Sequence, residues 1–205
     1  MNVATLSSSL AGRQVMEGVS MAGRRTDTRD KIRAVALELF SAHGYDHTSI
    51  RQIAESLGIT KAAVYYHFPA KEDIVVSLAD DLRNGVDEIL RWAADQPAGR
   101  ETGLEVLRRY GTVLHGTGRA MTRFMHENYA AFNRLGVGAD LRYQFRTVAD
   151  AMTAPDHDPV AVYHARQALL TISWSVAMMG DLPLTDEQCN DTAIAIASDI
   201  YRRSL

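Results

Sequence analysis

The sequence predicts an all-α fold of about nine helices, and three observations lead to this fold class. Apolar residues recur at helical spacing over most of the chain, and no stretch alternates apolar and polar residues as a half-buried strand does. The five prolines fall mainly at segment boundaries, and 46% hydrophobic and 23% charged residues are ordinary contents for a folded protein. A length of 205 residues favours two domains.

The chain divides into three parts. Residues 1–26 have no sustained apolar period and contain several Ser and Gly, which predicts a flexible N-terminal arm. Residues 27–72 hold three short helical segments and are predicted to form a small domain. Residues 73–205 hold longer helical segments, which predict a second, larger helical domain.

The first helix has clear end signals. Asp27 or Thr28 can cap it, because a short oxygen-bearing side chain accepts hydrogen bonds from the free amides of a first turn. Apolar residues then recur at i, i+3, i+4, i+7 and i+8 from Ile32 to Phe40. Gly44 is expected to end this helix, since glycine adopts positive φ without a steric penalty.

Two short helices follow. Thr48 or Ser49 can cap the first of them, and Gly58 is expected to end it. Thr60 can cap the second, with the sequence KAAVYYHF, and Pro69 interrupts the chain just after it. Further helices are predicted at about 71–94, 101–116, 118–135, 139–153, 159–179 and 185–203.

The lengths of these two helices and the turn between them are typical of a helix-turn-helix, whose second helix enters the major groove of DNA. The spacing predicts that Lys61, Ala62, Tyr65 and Tyr66 point outward. Exposed tyrosines beside a lysine indicate a surface that binds something. The same turn also occurs in proteins that never bind DNA, and Tyr65 could instead pack against the fourth helix.

The charges are unevenly distributed. The chain carries a formal charge of −3, yet the segment from Arg24 to Lys71 has eight basic and five acidic residues. The rest has fourteen basic and twenty acidic residues. A basic N-terminal region attached to an acidic remainder is a weak indication that this region meets a polyanion.

The run GYDHTSIRQIAESLGITKAAVYYHFPAKEDI, residues 44–74, closely resembles the DNA-binding signature of the TetR family of bacterial transcriptional regulators. The matching elements are Gly44-Tyr45, Thr48-Ser49, Ile53-Ala54, Leu57-Gly58-Ile59, Val64-Tyr65-Tyr66-His67-Phe68 and Lys71. The resemblance covers about a quarter of the chain. It implies that residues 27–72 form a DNA-binding domain and that residues 73–205 form a ligand-binding and dimerisation domain.

The resemblance also implies which residues contact double-stranded DNA. The residues on the second helix and at the start of the third would contact the DNA backbone or the edges of bases. Lys61 and Arg51 would make most of the contacts that recognise bases. Those from Tyr65 onward would contact phosphates. The implied DNA-binding residues are Thr48, Arg51, Thr60, Lys61, Ala62, Tyr65, Tyr66, His67 and Lys71.

A homodimer on a palindromic operator is expected, because one recognition helix makes too few contacts for operator affinity. Small and branched residues form a stripe along each of the last two predicted helices, which suits close packing between two copies. Core packing within one chain would produce the same stripe. The predicted interface residues are Ala165, Ala168, Leu169, Ile172, Val176, Ala193, Ile196, Ala197 and Ile200.

Bulky, soft side chains are frequent in the predicted second domain, and together with the resemblance they indicate a site for a small-molecule inducer of unknown identity. Ordinary core packing is the competing interpretation of each residue. The predicted pocket residues are Tyr110, Met121, Phe124, Met125, Asn128, Tyr129, Phe132, Tyr143, Trp174 and Met178.

Catalytic motifs and metal-ligand spacings are missing from the sequence, so we expect no enzyme activity, no metal site and no cofactor. The single cysteine, Cys189, cannot form a disulfide within the chain. The sequence shows neither an export signal nor an apolar run long enough to cross a membrane, which predicts a cytoplasmic location without a membrane partner. A regulator without a small-molecule ligand and a helical carrier or enzyme are the two alternatives.

Overall fold

The structure is a computed structural model that describes residues 26–116, 119–153 and 158–203. The predicted arm, apart from residue 26, and the loop positions 117–118 and 154–157 lie outside the described residues. Within the described ranges all regular structure is helical, which confirms the all-α fold class, and there are ten helices rather than nine. None of them is long and apolar enough to cross a membrane.

The helices are labelled in chain order. The first, α1, covers residues 26–43 of the described part. The others are α2 Ile50–Leu57, α3 Lys61–His67, α4 Lys71–Ala94, α5 Arg100–His115, α6 Arg119–Glu127, α7 Tyr129–Arg134, α8 Val137–Ala151, α9 Pro159–Met178 and α10 Asp186–Arg202.

Local signals set the ends of α2 and α3. Ser49 caps α2 by accepting a bond from the Gln52 amide, and the Gln52 side chain bonds back to the Ser49 amide. Gly58 follows α2 with φ 64°, a conformation that a residue with a Cβ adopts only at a cost. Thr60 caps α3 through its hydroxyl, 3.1 Å from the Ala63 nitrogen.

Two details of the predicted helix ends are wrong. The helix is already formed at residue 26, so Asp27 and Thr28 lie inside α1 and do not cap it. The single helix predicted at 118–135 is divided into α6 and α7 at Asn128, which leaves the helical conformation with φ −120° and ψ 31°. No glycine or proline marks this break, because it depends on a contact with a distant part of the chain.

The described residues pack into two hydrophobic cores. The N-terminal core joins α1–α3 and the first half of α4 to α6–α8. The C-terminal core joins the second half of α4 to α5, α8, α9 and α10. The N-terminal core contains Ile32, Ala36, Phe40, Tyr45, Ile50, Ile53, Ala54, Val64, Phe68, Ile74, Val75, Leu78, Ala79, Met121, Phe124, Ala131, Phe132 and Val137.

Most of the predicted dimer residues belong to the C-terminal core of a single chain, which corrects the prediction. The buried ones are Ala165, Ala168, Leu169, Ile172, Val176, Ala193 and Ala197. Their small side chains let α9 and α10 pack closely against each other and against α5. Ile196 is exposed, and Ile200 is half-buried against the same core.

The N-terminal core extends beyond the predicted N-terminal domain, since residues from α6, α7 and α8 contribute to it. Helix α4 crosses the predicted boundary at residues 72–73 without a break. The division into domains at this position therefore stays a prediction, while α4 physically connects the two cores.

Candidate nucleic-acid interface

Helix α3 is buried on one face and open on the other. Val64 is fully buried and Phe68, the residue that ends the helix, is 1% exposed. On the opposite face, the side chains of Tyr65 and Tyr66 are 42% and 69% exposed. The core contacts therefore hold a two-turn helix against the body while its tyrosines remain accessible, as the sequence predicted.

The polar residues at the start of α3 are also accessible. Thr60, Lys61 and Ala62 are all exposed. The Lys61 ammonium lies 5.4 Å from the centre of the Tyr65 ring, an arrangement that a cation and an aromatic face favour. At the other end of the helix, His67 is half-buried with its ring edge against Tyr66. The residues from Thr60 to His67 that face outward form one continuous strip.

Helix α2, which precedes α3 in the chain, contributes the exposed residue Arg51. Its Nε donates to the Glu55 Oε1 at 2.7 Å, one helical turn away. The Glu55 carboxylate raises the pKa of Arg51. The guanidinium keeps donors beyond Nε, so the ion pair restrains Arg51 and still leaves it able to bind an acceptor.

Thr48 is not placed to contact DNA, contrary to the prediction. Its side chain is buried, and its hydroxyl donates to the backbone oxygens of Leu39 and Gly44 at 3.2 and 3.0 Å. These bonds fasten the end of α1 to the start of α2. The presence of Thr48 in the motif is therefore explained by its hydrogen bonds within the turn between α1 and α2.

Lys71 is also engaged inside the protein. Its Nζ donates to the backbone oxygens of Tyr45 and Thr48 at 2.8 and 3.0 Å and lies 4.0 Å from the centre of the Tyr45 ring. Two of its three donors are thereby used within the protein, and the predicted phosphate contact stays a prediction. Lys71 therefore holds the α1–α2 loop against the first turn of α4.

Tyr45 holds a central position that the sequence patterns do not reveal. Its hydroxyl donates to Glu72 Oε1 at 3.0 Å, and its backbone nitrogen donates to Asn128 Oδ1 at 3.2 Å. Burial and the Glu72 carboxylate raise the pKa of Tyr45, so the phenol stays protonated and donates. The next residue, Asp46, binds Arg134 of α7 through both carboxylate oxygens at 2.8 and 2.9 Å.

The residues predicted to form a ligand pocket lie partly in the two hydrophobic cores and partly on the surface. Met121, Phe124 and Phe132 are buried in the N-terminal core, and Met125 packs between both cores. Tyr110 is buried in the C-terminal core and hydrogen-bonds with Ser173 at 3.3 Å.

The remaining predicted pocket residues are also used elsewhere. The Asn128 side chain accepts a hydrogen bond from the Tyr45 backbone amide and donates one to the Phe124 backbone oxygen. The other four have large exposed surfaces and are Tyr129, Tyr143, Trp174 and Met178. A content of Met and aromatic residues does not distinguish a pocket from a core or from an interface, so the ligand pocket stays a prediction.

A crevice of about 420 Å³ lies between α1 and α4. Its apolar wall includes Leu78, Leu82 and Met121, the last being the one predicted pocket residue on it. At its polar side, Arg33 of α1 forms an ion pair with Asp81 of α4. The crevice thus lies at the contact between the helix-turn-helix region and the long helix that joins the two cores.

A capped and exposed second helix packed against its neighbours is the arrangement of a helix-turn-helix motif. Comparison with known proteins finds the same motif in one protein family. Residues 32–78 match the family model described as bacterial regulatory proteins, tetR family. The match includes the segment that carries the resemblance in the sequence and confirms that resemblance.

Named relatives agree with this family. The transcriptional regulator TcmR of Streptomyces glaucescens is 37% identical over 73 residues, which are 35% of this chain and 30% of TcmR. IcaR of Staphylococcus aureus, the negative regulator of the biofilm operon icaADBC, is 50% identical over 46 residues, 22% of this chain and 25% of IcaR. The chain matches half or less of the length of these curated relatives. Both are named as transcriptional regulators.

The fold has solved counterparts over most of the chain. The crystal structure of PfmR, a TetR family regulator of Thermus thermophilus, superposes with a TM-score of 0.63 at 21% identity. The superposition covers 83% of this chain and 97% of PfmR. At this identity the likeness extends the shared fold into the C-terminal helices.

Proposed function

We propose that the protein is a transcriptional repressor that binds a palindromic operator as a homodimer. The observation that carries the proposal is the outward strip on α3, where Lys61, Tyr65 and Tyr66 stand exposed above a buried anchor. A hydroxyl and an ammonium on an exposed helix suit phosphate oxygens and base edges. Repression is proposed because IcaR, a relative that is 50% identical over 46 residues, is named a negative regulator.

The dimer surface is proposed to be the outer side of α9 and α10 instead of the buried stripe. Tyr163, Trp174 and Met178 of α9 are 62%, 45% and 59% exposed, and Ile196 of α10 is 50% exposed. Large apolar residues exposed on two adjacent helices are typical of a protein interface. A second copy of the chain is the partner that a palindromic operator requires.

The experiment begins with selection of host genomic fragments that the full-length protein retains at physiological salt. The selected operator is then used to compare Lys61→Ala and Tyr66→Phe with the unaltered protein. Each variant is expected to lower affinity about tenfold or more, since a good contact to DNA contributes about 1–3 kcal/mol.

Tyr143→Phe on α8 is the matched control, because Tyr143 is as exposed as Tyr66 but lies on the helix that packs against α4 and α7. It is expected to bind like the unaltered protein. Retention of full operator affinity by both α3 variants would contradict the proposal.

Release by a small apolar or amphipathic inducer is the second part of the proposal. Helix α4 supports it, since a ligand that rearranges the C-terminal core also acts on the helix that enters the N-terminal core. The ligand must then favour the conformation that binds DNA less well, and DNA must weaken ligand binding to the same extent. Organic fractions of the host cell, added to the protein–operator complex, test for release.

A regulator that needs no small molecule is the second candidate. It is favoured by the distribution of the predicted pocket residues, most of which are packed in the cores or lie on the surface. If none of the organic fractions releases the operator while a host protein does, this candidate replaces the inducer.

A further inference from the structure

Most cations of the helix-turn-helix region are already paired. Between residues 26 and 71, Lys31 binds Asp27, Arg33 binds Asp30 and Asp81, and Arg51 binds Glu55. Lys71 is held by two backbone carbonyls. Among the lysines and arginines of this described segment, Arg29 and Lys61 alone have neither a carboxylate nor a carbonyl partner.

The two unpaired cations lie at opposite ends of α3. Lys61 is its first residue and lies over the Tyr65 ring. Arg29, in the first described turns of α1, is exposed and has its guanidinium carbon 4.8 Å from the centre of the Phe68 ring. Phe68 directly follows α3 and is buried, so its ring gives Arg29 a fixed position beside the C-terminal end of the helix.

The geometry suits a nucleic-acid backbone. A helix of seven residues is about 10 Å long, and the major groove is about 12 Å wide, so both ends of α3 lie close to phosphates when it occupies the groove. A guanidinium that rests on an aromatic face keeps the N–H groups at its edge free. Its position is restrained before binding, which reduces the side-chain entropy lost on contact.

We infer that Arg29 binds a DNA phosphate and, together with Lys61, brackets the recognition helix on the operator. The inference rests on the proposed function and extends the DNA-binding surface from α2 and α3 to α1. Its ligand is the phosphodiester backbone, so it adds affinity and fixes the register of α3 without reading a base. The sequence motif does not include Arg29, because the residue reaches this edge only through the packing of α1 on Phe68.

The salt dependence of operator binding tests this role. Each phosphate contact contributes about −0.9 to the slope of log affinity against log salt, so a dimer that lacks both Arg29 contacts should have a slope shallower by about 1.8. Between about 50 and 200 mM salt, the unaltered protein should then lose about twelvefold more affinity than Arg29→Gln. Arg29→Lys, which keeps the charge, should retain the original slope.

The controls separate a phosphate contact from packing on Phe68. Lys31→Gln removes the same charge from α1, but Lys31 is paired with Asp27, so its slope should match that of the unaltered protein. Arg29→Met keeps an apolar stem on the ring and is a second variant without charge. Thermal unfolding midpoints show whether each variant is folded.

Three results would overturn the inference. The first is a salt slope in folded Arg29→Gln and Arg29→Met equal to that of the unaltered protein, which would leave the proposed function standing. The second is unfolding of both variants, which would assign Arg29 to structure alone. The third is that the unaltered protein binds no DNA, in which case the proposed function fails as well.

Discussion

At the scale of single residues, the structure separates motif positions that face outward from those that hold the motif together. Tyr66 and Lys61 are exposed, whereas Thr48 and Lys71 use their polar atoms in hydrogen bonds within the protein. A polar residue in a DNA-binding motif is therefore not by itself a DNA contact. Its hydrogen-bond partners decide which role it has.

Replacement of Lys71 by alanine should mainly lower stability. The oxygens of Tyr45 and Thr48 would lose their donor in a partly buried site, at a cost of about 1–3 kcal/mol. Urea denaturation measures the change in the free energy of unfolding. Lys31→Ala is the control, since its exposed ion pair with Asp27 should contribute less than about 1 kcal/mol.

The opposite pattern would restore the role that the family resemblance implied. In that case Lys71→Ala would keep the free energy of unfolding and would flatten the salt slope of operator binding. Such a result would show that the Lys71 ammonium binds a phosphate in the complex with DNA.

At the scale of helices, the parts that could be predicted are those with local causes. Ser49, Gly58 and Thr60 act within three or four residues along the chain, and the structure places each at the predicted helix end. The break at Asn128 could not be predicted, because its side-chain oxygen binds the Tyr45 backbone 83 positions earlier. Sequence patterns do not contain that pairing.

The outward face of α3 could be predicted for the same reason. Tyr66 lies two positions after Val64, about 200° around the helix, so its exposure opposite the buried Val64 follows from helical periodicity. The stripe from Ala165 to Val176 was ambiguous, since helical periodicity shows that one side is apolar and not what covers it. Intrachain packing of α9 with α10 and α5 resolves the ambiguity.

Asn128→Ala should weaken the connection between the α6–α7 junction and the helix-turn-helix region. The Tyr45 amide would lose its acceptor in a partly buried position, so we expect unfolding to become easier by about 1–3 kcal/mol. Asn133→Ala is a matched control, because Asn133 is exposed and accepts only a surface bond from Arg142. Equal effects of the two changes on chemical denaturation would argue against a special role for Asn128.

At the scale of the whole molecule, two cores share one long helix, and an apolar surface remains on the outside. Ile74 and Leu78 of α4 are in the N-terminal core, whereas Val86 and Ile89 are in the C-terminal core. The exposed apolar residues of α9 and α10 belong to neither core. The proposed dimer uses this remaining surface.

Tyr163→Asp should shift the protein from dimer to monomer, because a buried carboxylate without a partner is strongly unfavourable at an apolar interface. Sedimentation at micromolar concentration measures the proportion of each form. Tyr143→Asp introduces the same charge at a similarly exposed position on α8 and should leave the distribution unchanged. A Tyr163→Asp protein that sediments like the unaltered dimer would place the interface elsewhere.

The length of α4 has a mechanical consequence. Its 24 residues extend about 36 Å, at about 1.5 Å per residue, between a first turn beside the α1–α2 loop and a last turn in the other core. A tilt of about five degrees about one end would displace the other by about 3 Å, close to the distance of about 3.4 Å between successive nucleotides along a strand. A small change in the angle of α4 is thus enough to misalign a protein by one step of the double helix.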